Sequence, residues 1–239
     1  MDNTDFRLDG YEAVTDEVDV RFWHSIEISA PDFSVLAAHH TLDHQHSYYV
    51  LHDRSATWGH PGEPQLIGLH LTRDTTARTF SFDHSRLPLA AMAQSWLIAR
   101  GCPKEAITLP SDIGPVAADE ATTALEDRLL SDGDHFALVT SYTSDTPDCM
   151  QVTVLLAAID ESVPVRFRVL LEDVDTTSWT RTLREGGFTT FQEAVTWWKA
   201  HWTGERAPLP AAPPSTGRTT PPAKPGFPAP FTPRTGPTR

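Results

Sequence analysis

Apolar residues recur at helical spacing in the stretch 190–202, which reads TFQEAVTWWKAHW. The residues on one stripe of such a helix are Phe191, Val195, Trp198 and Trp202. Thr190, followed three residues later by Glu193, forms a capping-box signature at the start. The pattern predicts a helix that packs on a sheet, with Trp198 in the core and Trp197 at the edge of the buried stripe.

Shorter patterns predict the remaining elements. Runs rich in β-branched and aromatic residues predict strands at 20–28, 47–54, 65–73, 78–82, 135–142, 150–159, 165–174 and 179–184. Helical spacing and capping residues predict helices at 29–43, 88–100 and 118–130. Residues 1–19 are polar and are predicted to form a weakly ordered lead-in.

These elements predict an α+β fold with two similar halves, each running helix, antiparallel meander, helix. The N-terminal half covers 1–103, the connector 104–117 is interrupted by Pro and Gly, and the C-terminal half covers 118–204 with one extra strand. Features that recur about 100 to 103 residues apart are Pro64 with Pro164, Asp74 with Asp175, Arg78 with Arg181, and Trp96 with Trp198. The recurrence predicts an internal duplication, and chance sharing of turn residues is the alternative.

The segment 205–239 changes composition abruptly, with 11 Pro between positions 208 and 237. A segment with so few aliphatic residues cannot bury enough apolar surface to fold. A disordered, Pro-rich, basic tail is therefore predicted. Its PxxP spacings leave open a second use, in which the tail docks an aromatic groove on a partner.

Charge limits the classes of partner. The chain has 19 Lys and Arg against 32 Asp and Glu, for a net charge of −13. The tail holds five basic residues and one acidic residue, a net +4, which leaves −17 for residues 1–204. Because nucleic-acid affinity comes largely from basic side chains on phosphates, nucleic acid is an improbable partner for the folded body. A protein with a basic surface fits better.

Two observations on the sequence predict a cytoplasmic location. The acidic N-terminus lacks the basic-then-apolar order of a secretion signal, and the sequence contains no apolar run long enough to span a membrane. The two cysteines, Cys102 and Cys149, form no CxxC pair, which argues against a disulfide framework or a thiolate zinc site.

A metal site is the alternative source of chemistry. The sequence His40-Thr41-Leu42-Asp43-His44 places two imidazoles four residues apart. In a helix, both would project from one face, as in zinc hydrolases, with Asp43 beside them to act on a bound water. A solvent-facing, His-rich helix end is the structural alternative.

The segment 58–64 is a second candidate site. It lies between two predicted strands, and its Gly and Pro residues predict a rigid loop. It offers an aromatic ring, an imidazole and a carboxylate in Trp58, His60 and Glu63. Binding residues collect on loops held by a rigid scaffold, so the segment is predicted to be a recognition loop. Simple turn chemistry, with Trp58 folded back on the sheet, is the other interpretation.

No nucleotide-binding or hydrolase motif occurs in the sequence. The sequence therefore favours a non-enzymatic cytoplasmic binding or regulatory protein, without a cofactor, whose acidic surface recognises a protein partner with a basic surface. The alternative is a metal-dependent hydrolase that holds zinc with His40, Asp43 and His44.

Overall fold

The computed structural model of the chain describes residues 4–132, 135–147, 149–203 and 208–211. The strands of the first sheet are β1 (Glu12–Ala13), β2 (Phe33–His40), β3 (His46–Asp53), β4 (Leu66–Asp74) and β5 (Thr79–Leu87). Those of the second are β6 (Val116–Ala117), β7 (Phe136–Thr146), β8 (Cys149–Ala158), β9 (Phe167–Asp175) and β10 (Thr180–Phe188). The helices are α1 (Asp16–Ser25), α2 (Ala56–Gly59), α3 (Ala90–Ile98), α4 (Glu120–Leu129) and α5 (Phe191–Trp202).

The fold is α+β, as predicted, and the two sheets share one topology. The strand orders are β1-β5-β4-β3-β2 and β6-β10-β9-β8-β7. In each sheet four strands form an antiparallel meander, and a two-residue strand pairs in parallel with the last of them. The prediction of an extra strand in the C-terminal half was wrong, because β2 supplies its counterpart in the first half. β6 lies inside the segment expected as a connector.

Two predictions for the region 20–43 were wrong. The helix α1 occupies most of the strand predicted at 20–28, and the strand β2 lies within the helix predicted at 29–43. Thr15 caps α1 by accepting a hydrogen bond from the Val18 amide, and Phe22 and Ile26, one turn apart, are buried. Residues 29–43 form a 3₁₀ turn (Glu27–Asp32), then β2, then a hairpin turn. A bulge between Val35 and Ala37 breaks the alternation that marks a strand.

The N-terminal lead-in is also more ordered than predicted. Phe6 is buried, and its ring meets those of Phe22 and Tyr49 edge-on at centroid distances of 5.8 and 5.6 Å. β1 follows within the same stretch and pairs with β5. Residues 4–15 therefore form one wall of the first core.

Helices cover both faces of each sheet. In the first sheet, α1 covers one face and α3 the other; in the second, α4 and α5 do the same. α3 serves both sheets. Its Ala93 and Leu97 pack on the face of the first sheet opposite α1, whereas Leu89 and Ala91 pack with Leu125 and inner residues of the second sheet.

α5 has the predicted capping box, with the Thr190 and Glu193 side chains each bonded to the other residue's backbone. Its predicted phase was wrong. Trp197 is 7% exposed and is the most buried tryptophan of the helix, whereas Trp198 is only partly buried and Phe191 is 49% exposed. The deep face of α5 is therefore Ala194 and Trp197, which pack against Phe188 and the second sheet.

Most of the predicted tail, 205–239, lies outside the described residues, and so do its PxxP spacings. The described piece, 208–211, departs from the prediction because it packs on the second half. The Trp197 indole Nε1 donates a hydrogen bond to the Pro208 carbonyl at 3.3 Å, and Leu209 contacts the core cluster under α5. Ala211 forms an isolated β-bridge with Gly186 of β10. No helix among the described residues is long and apolar enough to cross a membrane.

Candidate functional site

Buried polar contacts hold the start of the loop at 58–64. The side chain of Asp53, 1% exposed, accepts hydrogen bonds from the amide and the hydroxyl of Ser55 at 3.0 and 2.7 Å. The same carboxylate pairs with Arg86 at 2.8 Å. The Trp58 amide donates to the Ser55 carbonyl at 3.0 Å, which closes the short helix α2. The base of the loop is therefore fixed to β3 and β5.

The far side of the loop is braced by the second half of the molecule. The Gly62 carbonyl accepts a hydrogen bond from the Thr143 amide of β7 at 3.0 Å. Gly62 has a φ of +93°, and a side chain there would meet the Tyr142 ring within 2.5 Å, so both backbone and space require glycine. Gln65, just beyond the loop, donates to Asp145 at 2.7 Å. The loop thus bridges the two halves.

The three predicted binding residues lie together on this loop and face solvent. Trp58 is 73% exposed, so the interpretation in which it folds back on the sheet does not hold. His60 and Glu63 are exposed and share a turn in which the Glu63 amide donates to the His60 carbonyl at 3.1 Å. This arrangement presents an indole, an imidazole and a carboxylate to solvent.

The predicted zinc residues occupy a hairpin turn instead of a helix. His40 ends β2, and His44 has a left-handed φ of +59° in the turn. The Asp43 carboxylate accepts hydrogen bonds from the Thr41 hydroxyl at 2.5 Å and from the Gln45 amide at 3.0 Å, which lowers its pKa. The helical spacing that would align two imidazoles is absent, and within the described ranges no three His, Cys, Asp or Glu side chains are placed to hold a metal.

His40 and His44 instead line a pocket of about 190 Å³ whose other walls are Arg7, Tyr11, Ser47 and Arg73. His40 Nδ1 lies 2.7 Å from the Ser47 hydroxyl, which also accepts a hydrogen bond from Arg73 Nη1 at 2.8 Å. Burial, and then the charges of Arg7 and Arg73, lower the pKa of His40. Sequence reasoning missed Arg7, Ser47 and Arg73. The hairpin register, which pairs His40 with Ser47, was the signal that could have found the serine.

A histidine–tyrosine cluster lies on the α3 side of the first sheet. The rings of Tyr48 and His70 stack at 4.4 Å, and His46 Nδ1 lies 3.1 Å from His70 Nε2. Burial, with the nearby charges of His46 and Arg100, lowers the pKa of His70 to about 4. His70 is therefore neutral at physiological pH and packs as an aromatic ring.

The second half has a cleft of about 440 Å³ beside α5. His201 stacks on Trp197 at 5.0 Å and bonds the Gln151 side chain at 2.7 Å, and Gln151 in turn bonds Asp173. The segment 208–211 forms one wall.

Comparison with known proteins found no matching family model, no curated protein and no solved structure with significant similarity to this chain.

Proposed function

We propose that the chain is a non-enzymatic binding protein that recognises a protein partner with a basic surface through the loop at 58–64. The observation that carries the proposal is Trp58, a tryptophan 73% exposed on a loop that both halves of the molecule hold in place.

The energetic argument starts from the indole. Tryptophan is enriched among the residues that dominate binding energies, because its burial removes a large apolar area from water. A loop that must order on binding loses part of that gain as conformational entropy. Here Asp53 fixes the base of the loop and Thr143 its far side, so Trp58 is presented with little left to order.

Charge supports a basic partner. Glu63 and Asp145 are exposed at or beside the loop, and the chain carries a net −13. Complementary charges steer association and add salt-dependent specificity more than raw affinity. We therefore expect the partner to have an apolar pocket for the indole, bordered by lysine or arginine.

The test is to select peptides that bind the full chain from a random displayed library, and to measure the dissociation constants of the tightest-binding peptides. We expect the selected peptides to combine an apolar residue with lysine or arginine and to bind more weakly as salt rises. Trp58→Ala should weaken peptide binding at least about tenfold, as expected for a tryptophan at the centre of an interface.

Trp23→Ala is the matched control, because Trp23 is another exposed tryptophan and lies on α1 away from the loop contacts. Binding by this control should equal that of the unaltered chain. Acidic selected peptides, or equal losses in the two variants, would contradict the proposal.

We also infer that the two halves arose by internal duplication. Support comes from shared irregular details: each second strand carries a bulge, between Val35 and Ala37 and between Leu138 and Thr140. An aspartate-capped turn before each last strand ends in a left-handed residue, Arg78 with φ +57° in one half and Trp179 with φ +53° in the other. A profile built from relatives of the first half should align with the second at this register; alignment at no register would refute the duplication.

A further inference from the structure

We propose that the pocket formed by Arg7, Tyr11, His40, His44, Ser47 and Arg73 binds a small tetrahedral anion, an inorganic phosphate or the phosphate of a monoester. The pocket lies on the α1 side of the first sheet, near the β2–β3 turn. This site is independent of the loop at 58–64.

Arg73 is the central observation, because it is a charged side chain only 5% exposed. Its Nε, Nη1 and Nη2 donate to the Arg7 carbonyl, the Ser47 hydroxyl and the Phe6 carbonyl at 3.2, 2.8 and 2.7 Å. All three acceptors are uncharged. The ion pairs of the described residues do not include Arg73.

A buried charge normally has a partner of opposite charge, because isolated burial is costly. A guanidinium also carries five N–H groups, and the three bonds above use one on each nitrogen. One N–H on each Nη therefore has no acceptor among the described residues. An anion in the adjoining pocket would supply both the charge and the acceptors.

The other groups around the pocket share this preference. Arg7 is exposed, and its side chain forms no ion pair or hydrogen bond within the described part of the chain. His40 Nδ1 is hydrogen-bonded to the Ser47 hydroxyl at 2.7 Å, and burial, followed by the charges of Arg7 and Arg73, lowers its pKa. Asp5 is the nearby acid; its carboxylate accepts from the Arg7 backbone amide, and its effect on His40 is the weakest of those acting there.

The number and spread of donors favour phosphate over a carboxylate. Two guanidinium groups, two imidazoles and the hydroxyl-bearing Ser47 and Tyr11 line the pocket, while a carboxylate has only two oxygens to accept from them. Arginine pairs with phosphate through two parallel hydrogen bonds, and a tetrahedral anion has further oxygens for the histidines and Ser47. In a chain with net charge −13, this pocket concentrates positive charge.

The test is calorimetric titration of the full chain with sodium phosphate, phenyl phosphate and sodium acetate at matched ionic strength. We expect saturable binding of phosphate, weaker or no binding of acetate, and a melting temperature that rises with the logarithm of the phosphate concentration. Tighter binding of phenyl phosphate would identify a monoester as the ligand; equal or weaker binding would identify the free anion.

The decisive variant is Arg7→Asn, with Arg78→Asn as its match. Both arginines are exposed and have left-handed backbones, φ +54° and +57°, which asparagine tolerates. The Arg78 guanidinium stacks on the Tyr11 ring, but Arg78 does not line the pocket. Loss of a charge-assisted bond should weaken phosphate binding at least about tenfold in Arg7→Asn and leave it unchanged in Arg78→Asn.

Replacing Arg73 would also remove its hydrogen bonds to the Phe6 and Arg7 carbonyls and could unfold the N-terminal segment. The second measurement therefore uses the unaltered chain. Phosphate should raise the pKa of His40, followed by NMR of its imidazole, and should leave His84 unchanged. Absence of saturable phosphate binding, equal losses in the two asparagine variants, or preference for acetate would overturn the proposal.

Discussion

The two halves of the molecule have the same sheet and differ in what covers it. When α3 and α5 are aligned from their first residues, Ala93 matches Ala194 and Trp96 matches Trp197, not Trp198. α3 packs on the first sheet with one side, and against α4 and the second core with the other. α5 packs on the second sheet, and the segment 208–211 lies beside it, against Trp197 and β10 of the same sheet.

The side chains at the matched positions also differ between the halves. The Arg100 guanidinium lies 3.5 Å from the Trp96 ring centre, whereas His201 stacks on Trp197 at the corresponding place. Gly68 lies under Trp96, but the matching residue of β9 is Val169, which is fully buried. The comparison teaches that one sheet topology accommodates either a glycine or a valine beneath the tryptophan of its helix.

The largest predicted effect tests the phase of α5. Trp197→Ala should destabilise the chain by about 3 to 5 kcal/mol, as expected for a buried aromatic residue. Trp198→Ala should cost appreciably less, because Trp198 is only partly buried. Urea unfolding of the two variants measures the difference, and a larger cost for Trp198→Ala would show that the helix packs in another phase.

Gly68→Ala tests the close contact in the first half. An added Cβ would lie 2.9 Å from Cε3 of Trp96, whose other face carries Arg100. We expect a loss of about 1 to 3 kcal/mol from overpacking. Gly59→Ala is the control, since a Cβ there meets nothing within 4 Å. Equal stabilities of the two variants would mean that Trp96 repacks without cost.

Truncation tests the cover of the second half. A chain ending at residue 211 should keep its stability, whereas one ending at 203 should lose about 1 to 2 kcal/mol with the contacts of Leu209 and the Trp197 hydrogen bond. Differential scanning calorimetry compares the two lengths. If both chains melt together, the packing of 208–211 contributes nothing to stability.

The smallest predicted effect is a pH dependence of opposite sign in the two halves. Burial lowers the pKa of His70 to about 4 in the folded chain, so stability should fall as pH falls from 6.5 towards 4, where the unfolded chain binds the proton more readily. Burial raises the pKa of Glu172 to about 7, against the opposing charge of Arg181, so this residue should reduce stability as pH rises from 4.5 to 7.

Glutamine replacements separate these contributions. His70→Gln should flatten the acid side of the stability profile and Glu172→Gln the neutral side, as measured by urea unfolding between pH 4 and 8. A profile unchanged in either variant would show that the residue has the same pKa folded and unfolded.

Strong local patterns made β3, β4, β5 and β7–β10 predictable, together with helices α3, α4 and α5. The errors have physical causes. Ser29 and Pro31 resemble a helix start, and Phe33 and Leu36 show helical spacing, yet the segment pairs with β3 and its bulge hides the strand period. The β-branched and aromatic content of 20–28 favoured a strand, whereas the Thr15 cap and the tertiary packing of Phe22 stabilise a helix.

The candidate loop was foreseeable and the anion pocket was not. Gly and Pro spacing alone marked the loop at 58–64. The pocket joins Arg7 to Arg73 across 66 residues, and their contact follows from Arg73 bonding the backbone of the N-terminal segment. Such long-range pairing has no signature in local sequence.

Because α3 packs on the first sheet and also against α4 and the second core, we expect the molecule to unfold as one unit. Separating the halves at the connector would remove the wall that Leu89 and Ala91 give to the second core and expose Leu125 and Leu129 to water. A protease that cuts only in the exposed part of the connector should therefore leave a nicked complex that stays together and melts in a single cooperative transition.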